Sequence, residues 1–153
     1  MPTLNPAWAA ALQHTINSSP FFQLQAMKVL DLDLGRSRLE LDVQRKHLQP
    51  FGFAHGGVFA SLIDSAGFWA VFTELAPAQG LTTLEMKLNY LAPANEGRII
   101  GLGRRIKLGK TICLADARVE NPAGRLLAHG TVTLMAVPEL NLHDAGLPAK
   151  FND

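Results

Sequence analysis

A helix over residues 55–75 would be apolar on nearly every side, so the rest of the chain has to enclose it. Two features interrupt this segment: a glycine pair, Gly56-Gly57, near its start and a single carboxylate, Asp64, in its middle. Ala76-Pro77 ends it. The apolar positions are Val58, Phe59, Leu62, Ile63, Ala66, Phe68, Trp69, Val71 and Phe72. The sequence therefore predicts one long buried helix at the centre of the fold.

The other segments supply a sheet that could enclose such a helix. A short amphipathic helix is expected over residues 6–17, with Asn5 as its N-cap and Pro6 in its first turn. Alternation of apolar and polar residues predicts strands on both sides of the central helix. The strand segments are 26–34, 36–44, 82–91, 97–108, 112–120 and 125–137, and the first two are expected to pair across Gly35.

This order of elements predicts an α+β fold in which a curved antiparallel sheet wraps around the central helix. Because the four strands after the helix are joined by short turns, they are expected to form a consecutive meander. The period-two pattern ends at Pro138. We therefore expect one domain over residues 1–138 and a loosely held C-terminal tail over 139–153.

Composition excludes several classes of function. The formal net charge of the 153 residues is +1, which argues against bulk nucleic-acid binding. The single cysteine, Cys113, allows neither a disulfide framework nor a cysteine metal site. The N-terminus lacks a signal-peptide pattern, and Asp64 would be costly inside a lipid bilayer. We expect a cytoplasmic protein with no membrane span, no bound metal and no cofactor.

The glycine pair and the acid suggest a chemistry. The first N–H groups of a helix have no partner inside the helix, and two glycines let a ligand approach them closely. A carbonyl oxygen held there would be polarised as in an oxyanion hole. Asp64 follows His55 by nine residues, and roughly 12 Å of helix separates the glycine turn from the acid. The two can meet at one reacting centre only if two subunits supply them, as in a two-fold dimer.

Asp64 could then serve as general base on water or as nucleophile. The alternative is a buried structural acid paired with a hydroxyl or a backbone N–H. The residues alone leave both open.

The stretch "QPFGFAHGGVFASLIDSA" resembles the signature of the hotdog-fold acyl-CoA thioesterases, in the branch similar to the phenylacetic-acid-degradation (PaaI-like) enzymes. That signature reads Asn-x-x-Gly-x-x-His-Gly-Gly, with an acid nine residues after the histidine. Downstream, "TTLEMKLNYLAPANEGRIIGLGRRIKLGKT" resembles the family's strand, its Tyr-x-x-Pro and its basic strand ending in Gly-Lys. The resemblance covers residues 36–137 and implies a hotdog fold.

The resemblance also implies a role for each catalytic position. Gly56 would give its backbone N–H to the thioester carbonyl, and His55 would support that oxygen or order the turn. Asp64 from the facing subunit would be the base or the nucleophile. Thr83 stands where the family carries a Ser or Thr that helps to hold the attacking water. Gln49 replaces the family's asparagine, with the same donors and acceptors on a longer side chain.

For substrate binding, the resemblance implies Gly57 in the glycine turn, Phe59 in the acyl pocket, and Lys107 and Lys110 beside Gly109. The two lysines would contact coenzyme A phosphates; the alternative is a solvated strand protected by charge. Arg104 and Arg105 are weaker candidates for the same contact. Further acyl-pocket candidates are Ile63, Phe51, Phe53 and Phe68.

The function implied is hydrolysis of an aryl- or medium-chain acyl-CoA to free acid and CoA. A homodimer with shared active sites would assemble into a dimer of dimers, a homotetramer. One alternative is a non-catalytic acyl-CoA binding or sensing protein, which would not need Asp64. Another is a hydratase or dehydratase on the same fold, which usually spaces its histidine and acid differently. The carrier, coenzyme A or acyl carrier protein, is left open.

Overall fold

The computed structural model describes residues 2–143 and 146–152. Six strands form an antiparallel sheet in the order β2-β3-β5-β6-β7-β4, and a separate strand pair joins the two ends of the chain. The elements are β1 (Thr3–Leu4), α1 (Pro6–Asn17), α2 (Pro20–Gln25), β2 (Met27–Asp33), β3 (Arg36–Asp42), a 3₁₀ turn (Arg45–His47), α3 (Gly56–Phe72), β4 (Gln79–Tyr90), β5 (Arg98–Lys107), β6 (Ile112–Glu120), β7 (Leu126–Pro138) and β8 (Phe151–Asn152).

The first helix and the first hairpin follow their local signals. The Asn5 side chain accepts a hydrogen bond from the Ala7 N–H at 3.0 Å and caps α1. Strands β2 and β3 pair across Gly35, whose φ of 69° is a left-handed conformation that suits glycine. Both predictions are confirmed.

The central helix α3 lies against strands β3 to β7, as the apolar pattern predicts. Helix and sheet approach closely at Gly103 on β5, where an added Cβ would lie 2.0 Å from the Ala66 carbonyl oxygen. The buried Ser37 hydroxyl donates to that same oxygen at 2.7 Å. The close approach therefore depends on a glycine in the sheet, and the predicted α+β fold with a sheet wrapped around one helix is confirmed.

The predicted four-strand meander is wrong for its first strand. Strand β4 pairs with β7 at the far edge of the sheet, from Gln79 opposite Pro138 to Tyr90 opposite Ala128, and β5 pairs with β3 instead. Helix α3 connects β3 to β4 and crosses the face of the sheet. Strand β4 therefore lies at the edge opposite to β2. Among the strands of the described residues, β5, β6 and β7 alone form a consecutive meander.

The C-terminal tail is not loosely held where the structure describes it, contrary to the expectation. Strand β8 pairs with β1, and Lys150 is 5% exposed. The Lys150 ammonium donates to the Phe72 carbonyl at 2.5 Å and to the Leu75 carbonyl at 2.7 Å, and it lies over the Trp8 and Phe72 rings. These bonds satisfy one carbonyl in the last turn of α3 and one just beyond the end of the helix. The proposed domain boundary at residue 138 stays a prediction.

No helix within residues 2–143 and 146–152 is both long and apolar enough to cross a membrane.

Candidate active site

The amino end of α3 presents a free backbone donor. His55 is the N-cap, and its Nδ1 accepts the Gly57 N–H at 2.8 Å, so the imidazole orders the glycine turn. The Val58 N–H bonds to the His55 carbonyl at 2.9 Å. Among the described residues, the Gly56 N–H has no hydrogen-bond partner. This N–H therefore remains available to an external acceptor at the positive end of the helix.

A cleft of about 430 Å³ opens beside this donor. Gln49 enters it from the turn before α3, where its side-chain oxygen accepts the Phe51 N–H. The Gln49 amide nitrogen makes no hydrogen bond within the described residues and can still donate. The lining residues are Gln49, Phe53, Ala54, Gly56, Phe59, Tyr90, Leu91, Ala92 and Pro93.

Asp64 and Thr83 form a second group. The Thr83 hydroxyl donates to Asp64 Oδ1 at 2.8 Å, and the carboxylate is half-buried. The register of β4 shifts between Thr83 and Glu85, so Leu84 bulges out of the ladder directly beside this pair. Bulges of this kind re-aim side chains next to active sites.

Within one chain the structure does not unite the two groups. Asp64 does not line the cleft that Gly56, Gln49 and Phe59 share, and about 12 Å of helix separates it from Gly56. One subunit therefore carries a carbonyl-binding half and a separate carboxylate half.

The basic candidates divide into paired and unpaired side chains. Arg105 makes a bidentate ion pair with Glu74, at 2.6 and 2.9 Å, and this pair raises the Arg105 pKa above its usual value. Arg104 lies 3.6 Å from Asp116. Lys107 and Lys110 are exposed and have no ion pair within the part of the chain described. The lysines are thus the two cations of this set that remain open to a ligand.

Lys107, Gly109 and Lys110 lie at the end of the sheet opposite to Gly56. Their loop joins β5 to β6 and lies beside the C-terminal end of β7. Tyr90 pairs with the N-terminal end of β7, and Gly56 lies next to Tyr90. A Cβ on Gly109 would lie 2.2 Å from the Ile112 carbonyl oxygen, so this tight turn requires glycine.

The acyl-pocket candidates also separate. Phe59 and Phe53 line the cleft, whereas Ile63 is fully buried core and Phe51 is 87% exposed. Phe68 packs against the rings of Trp69 and Phe72. Sequence reasoning did not place Tyr90 here, although its Tyr-x-x-Pro motif marked the position.

No group of three or more His, Cys, Asp or Glu side chains within residues 2–143 and 146–152 is arranged to hold a metal ion. The described chemistry of the site consists of a backbone donor, a side-chain amide, a hydroxyl and a carboxylate.

Comparison with known proteins decides the family. A family profile described as "Thioesterase superfamily" matches residues 51–128, which include α3, β4 and every cleft-lining residue except Gln49. The chain belongs to the thioesterase superfamily. It is a thioester hydrolase.

Individual relatives of this superfamily agree with that assignment. The chain is 33% identical to mouse acyl-coenzyme A thioesterase 13 over 61% of its own length and 68% of the relative's. It is 25% identical to a 1,4-dihydroxy-2-naphthoyl-CoA hydrolase of Listeria monocytogenes, over 71% and 88% of the two chains. A thioesterase structure from Haemophilus influenzae superimposes with a TM-score of 0.82 at 21% identity, covering 94% and 99%, and shares the hotdog fold.

Proposed function

We propose that this thioester hydrolase is a PaaI-like acyl-CoA thioesterase that cleaves an aryl- or medium-chain acyl-CoA to free acid and CoA. One observation carries the proposal. A single helix presents the unpaired Gly56 N–H at the mouth of an apolar cleft and, two turns later, a carboxylate oriented by Thr83. A helix end favours the oxygen that becomes negative as a thioester is attacked, and a carboxylate can activate the attacking water.

The proposed mechanism uses both halves of the site. The Gly56 N–H holds the thioester carbonyl oxygen, with the Gln49 amide as a further donor in the same cleft. Asp64 of the partner subunit takes a proton from water while that water attacks the carbonyl carbon. The C–S bond then breaks as the tetrahedral intermediate collapses, and the proton passes to the departing thiolate.

Direct attack by Asp64, forming a mixed anhydride that water then opens, fits the same placement. The Thr83 hydroxyl donates its hydrogen bond to Asp64, and its oxygen can still accept a hydrogen bond from the water.

A second copy of this chain is the proposed source of the missing half-site. Strand β4 is an edge strand of the sheet. Its C-terminal half carries four apolar side chains that are exposed or half-buried: Leu84, Met86, Leu88 and Tyr90. An apolar edge strand needs cover. A two-fold axis at this edge and perpendicular to β4 makes the two copies antiparallel, and can bring Gly56 of each subunit toward Asp64 of the other at two equivalent sites. Pairing of two such dimers would give the proposed tetramer.

The proposed substrate class rests on the lining and on the relatives. Aromatic and aliphatic side chains dominate the cleft beside Gly56. Two relatives are named for acyl-CoA or aryl-CoA hydrolysis. Lys107 and Lys110 offer two free ammonium groups to the phosphates of coenzyme A. A cytoplasmic location and the need for no cofactor beyond the coenzyme A of the substrate remain part of the proposal.

The test is thiol release from phenylacetyl-CoA, 4-hydroxybenzoyl-CoA, hexanoyl-CoA and dodecanoyl-CoA. We expect turnover of at least one, and a loss of at least about 10²-fold in kcat for Asp64→Asn. The exposed Asp42→Asn is the matched control and should retain activity. Tight binding of an acyl-CoA without turnover would overturn the proposal in favour of a sensing protein. Hydration of an enoyl-CoA would favour a hydratase.

A further inference from the structure

Tyr90 lies directly against the glycine that provides the free donor. It is the last residue of β4, and a Cβ built on Gly56 would lie 3.1 Å from its Cζ and 3.2 Å from its hydroxyl oxygen. The ring also contacts Phe59, with ring centroids 6.3 Å apart. Tyr90 is thus held between the amino end of α3 and one wall of the cleft.

The Tyr90 hydroxyl has no hydrogen-bond partner among the described residues. It is also a donor in a cleft lined mainly by apolar side chains. Packing alone would be served equally well by phenylalanine, which lacks the hydroxyl. Because Tyr90 is exposed in the single chain, its phenol is open to an acceptor carried by a ligand.

The Gly56 N–H and the Tyr90 hydroxyl can share one acceptor. The amide nitrogen and the Cβ position of a residue are about 2.5 Å apart, so the two donor atoms are less than about 6 Å apart. A ligand oxygen placed between them can lie within hydrogen-bond distance, about 3 Å, of both.

We propose that the Tyr90 hydroxyl is a second oxyanion donor, which binds the same thioester carbonyl oxygen as the Gly56 N–H. This rests on the proposed thioesterase function. The hydroxyl keeps its proton throughout and strengthens its hydrogen bond as the carbonyl oxygen becomes negative. Tyr90 is 56% exposed in the single chain and lies on the edge strand that the proposed dimer covers, so the partner subunit would exclude water from this bond.

The test compares Tyr90→Phe with wild type on the best substrate of the four-member acyl-CoA panel. We expect kcat to fall by about 10- to 100-fold with KM changed less than about twofold, because the bond strengthens mainly in the transition state. The melting temperature should be unchanged, since the hydroxyl has no partner in the described chain. Tyr90→Leu, which also removes the ring, should raise KM as well.

A pair of ligands isolates the carbonyl. An acyl-CoA ketone analogue retains the oxygen and cannot be hydrolysed, whereas the matching thioether analogue lacks the oxygen. Tyr90→Phe should weaken binding of the ketone by up to about twofold, the same limit as for KM because the ketone oxygen is a ground-state carbonyl, and should leave binding of the thioether unchanged.

If Tyr90→Phe keeps the wild-type kcat and binds each analogue as tightly as wild type does, the proposed role of Tyr90 is overturned. The thioesterase proposal would still stand. Absence of turnover by the wild type would instead remove the proposed function itself.

Discussion

The Thr83 hydroxyl donates a 2.8 Å hydrogen bond to the Asp64 carboxylate, joining the middle of α3 to the bulged edge strand β4. The bond fixes one carboxylate oxygen and leaves the other free to receive a proton. Loss of the bond would allow the carboxylate to turn away from the reacting centre. A misoriented base loses rate even where the fold is intact.

We therefore predict that Thr83→Val lowers kcat by about tenfold, with little change in melting temperature, because valine keeps the volume but removes the donor. Thr83→Ser is the control and should keep most of the activity. Steady-state kinetics on the best acyl-CoA of the panel measures both. Equal kcat for the Val and Ser variants would show that the bond does not orient a catalytic group.

The backbone donor of Gly56 can be removed by a proline substitution. Proline is tolerated in the first turn of a helix, and His55 already has the extended backbone that precedes proline, with φ −60° and ψ 141°. Gly56→Pro should lower kcat by about 10²-fold, the usual effect of losing an oxyanion donor. Gly56→Ala adds a Cβ near Tyr90 but keeps the N–H, and is the matched comparison. Equal activity of the two variants would contradict a role for the N–H.

The two unpaired lysines should act on the carrier part of the substrate. Replacing both, Lys107→Gln with Lys110→Gln, should raise KM for the acyl-CoA several-fold and reduce the salt dependence of KM. The corresponding acyl-N-acetylcysteamine thioester lacks the coenzyme A phosphates, so its kcat/KM should not change. An equal loss on both substrates would assign the lysines to the stability of the loop.

Lys150 predicts a pH dependence of stability. Burial lowers the Lys150 pKa from 10.5 to about 8, partly offset by the nearby Glu74 carboxylate. Between these two values the unfolded chain holds a proton that the folded chain has lost, so the free energy of unfolding rises with pH across this window. Below pH 8 both states carry the charge, and the full cost of burying it remains.

Urea unfolding of wild type and Lys150→Met at pH 7 to 10.5 isolates this effect, because the other titrating groups cancel. We expect the stability of wild type relative to the variant to increase with pH, by on the order of 3 kcal/mol at most. A difference that stays constant with pH would mean that Lys150 is hydrated in the folded protein.

Local sequence signals were enough to predict several elements and to name the residues of the two half-sites. The Asn5 cap, the Gly35 turn and the apolar face of α3 depend on neighbours in sequence. The position of β4 beside β7 depends on residues about fifty positions apart, and nothing in either strand alone indicates the partner. The contact between Tyr90 and Gly56 is hidden for the same reason.

The tail illustrates another limit of pattern reading. A lysine among Pro, Gly and Ala residues reads as exposed, because the carbonyls that hold its ammonium belong to Phe72 and Leu75, far away in sequence. The family resemblance assigned Asp64 and Gly56 to one reaction. The two groups are separated within one subunit, so a complete site requires a second subunit.

Subunit complementation tests most directly whether two subunits share one active site. Asp64→Asn and Gly56→Pro are each expected to be nearly inactive alone. When the two chains are unfolded together and refolded as a mixture, a mixed dimer regains one intact site, with Gly56 from one chain and Asp64 from the other. Random pairing predicts recovery to about a quarter of wild-type activity. A mixture that stays as inactive as its two components, with mixed dimers verified by differential tags, would contradict a site shared between subunits.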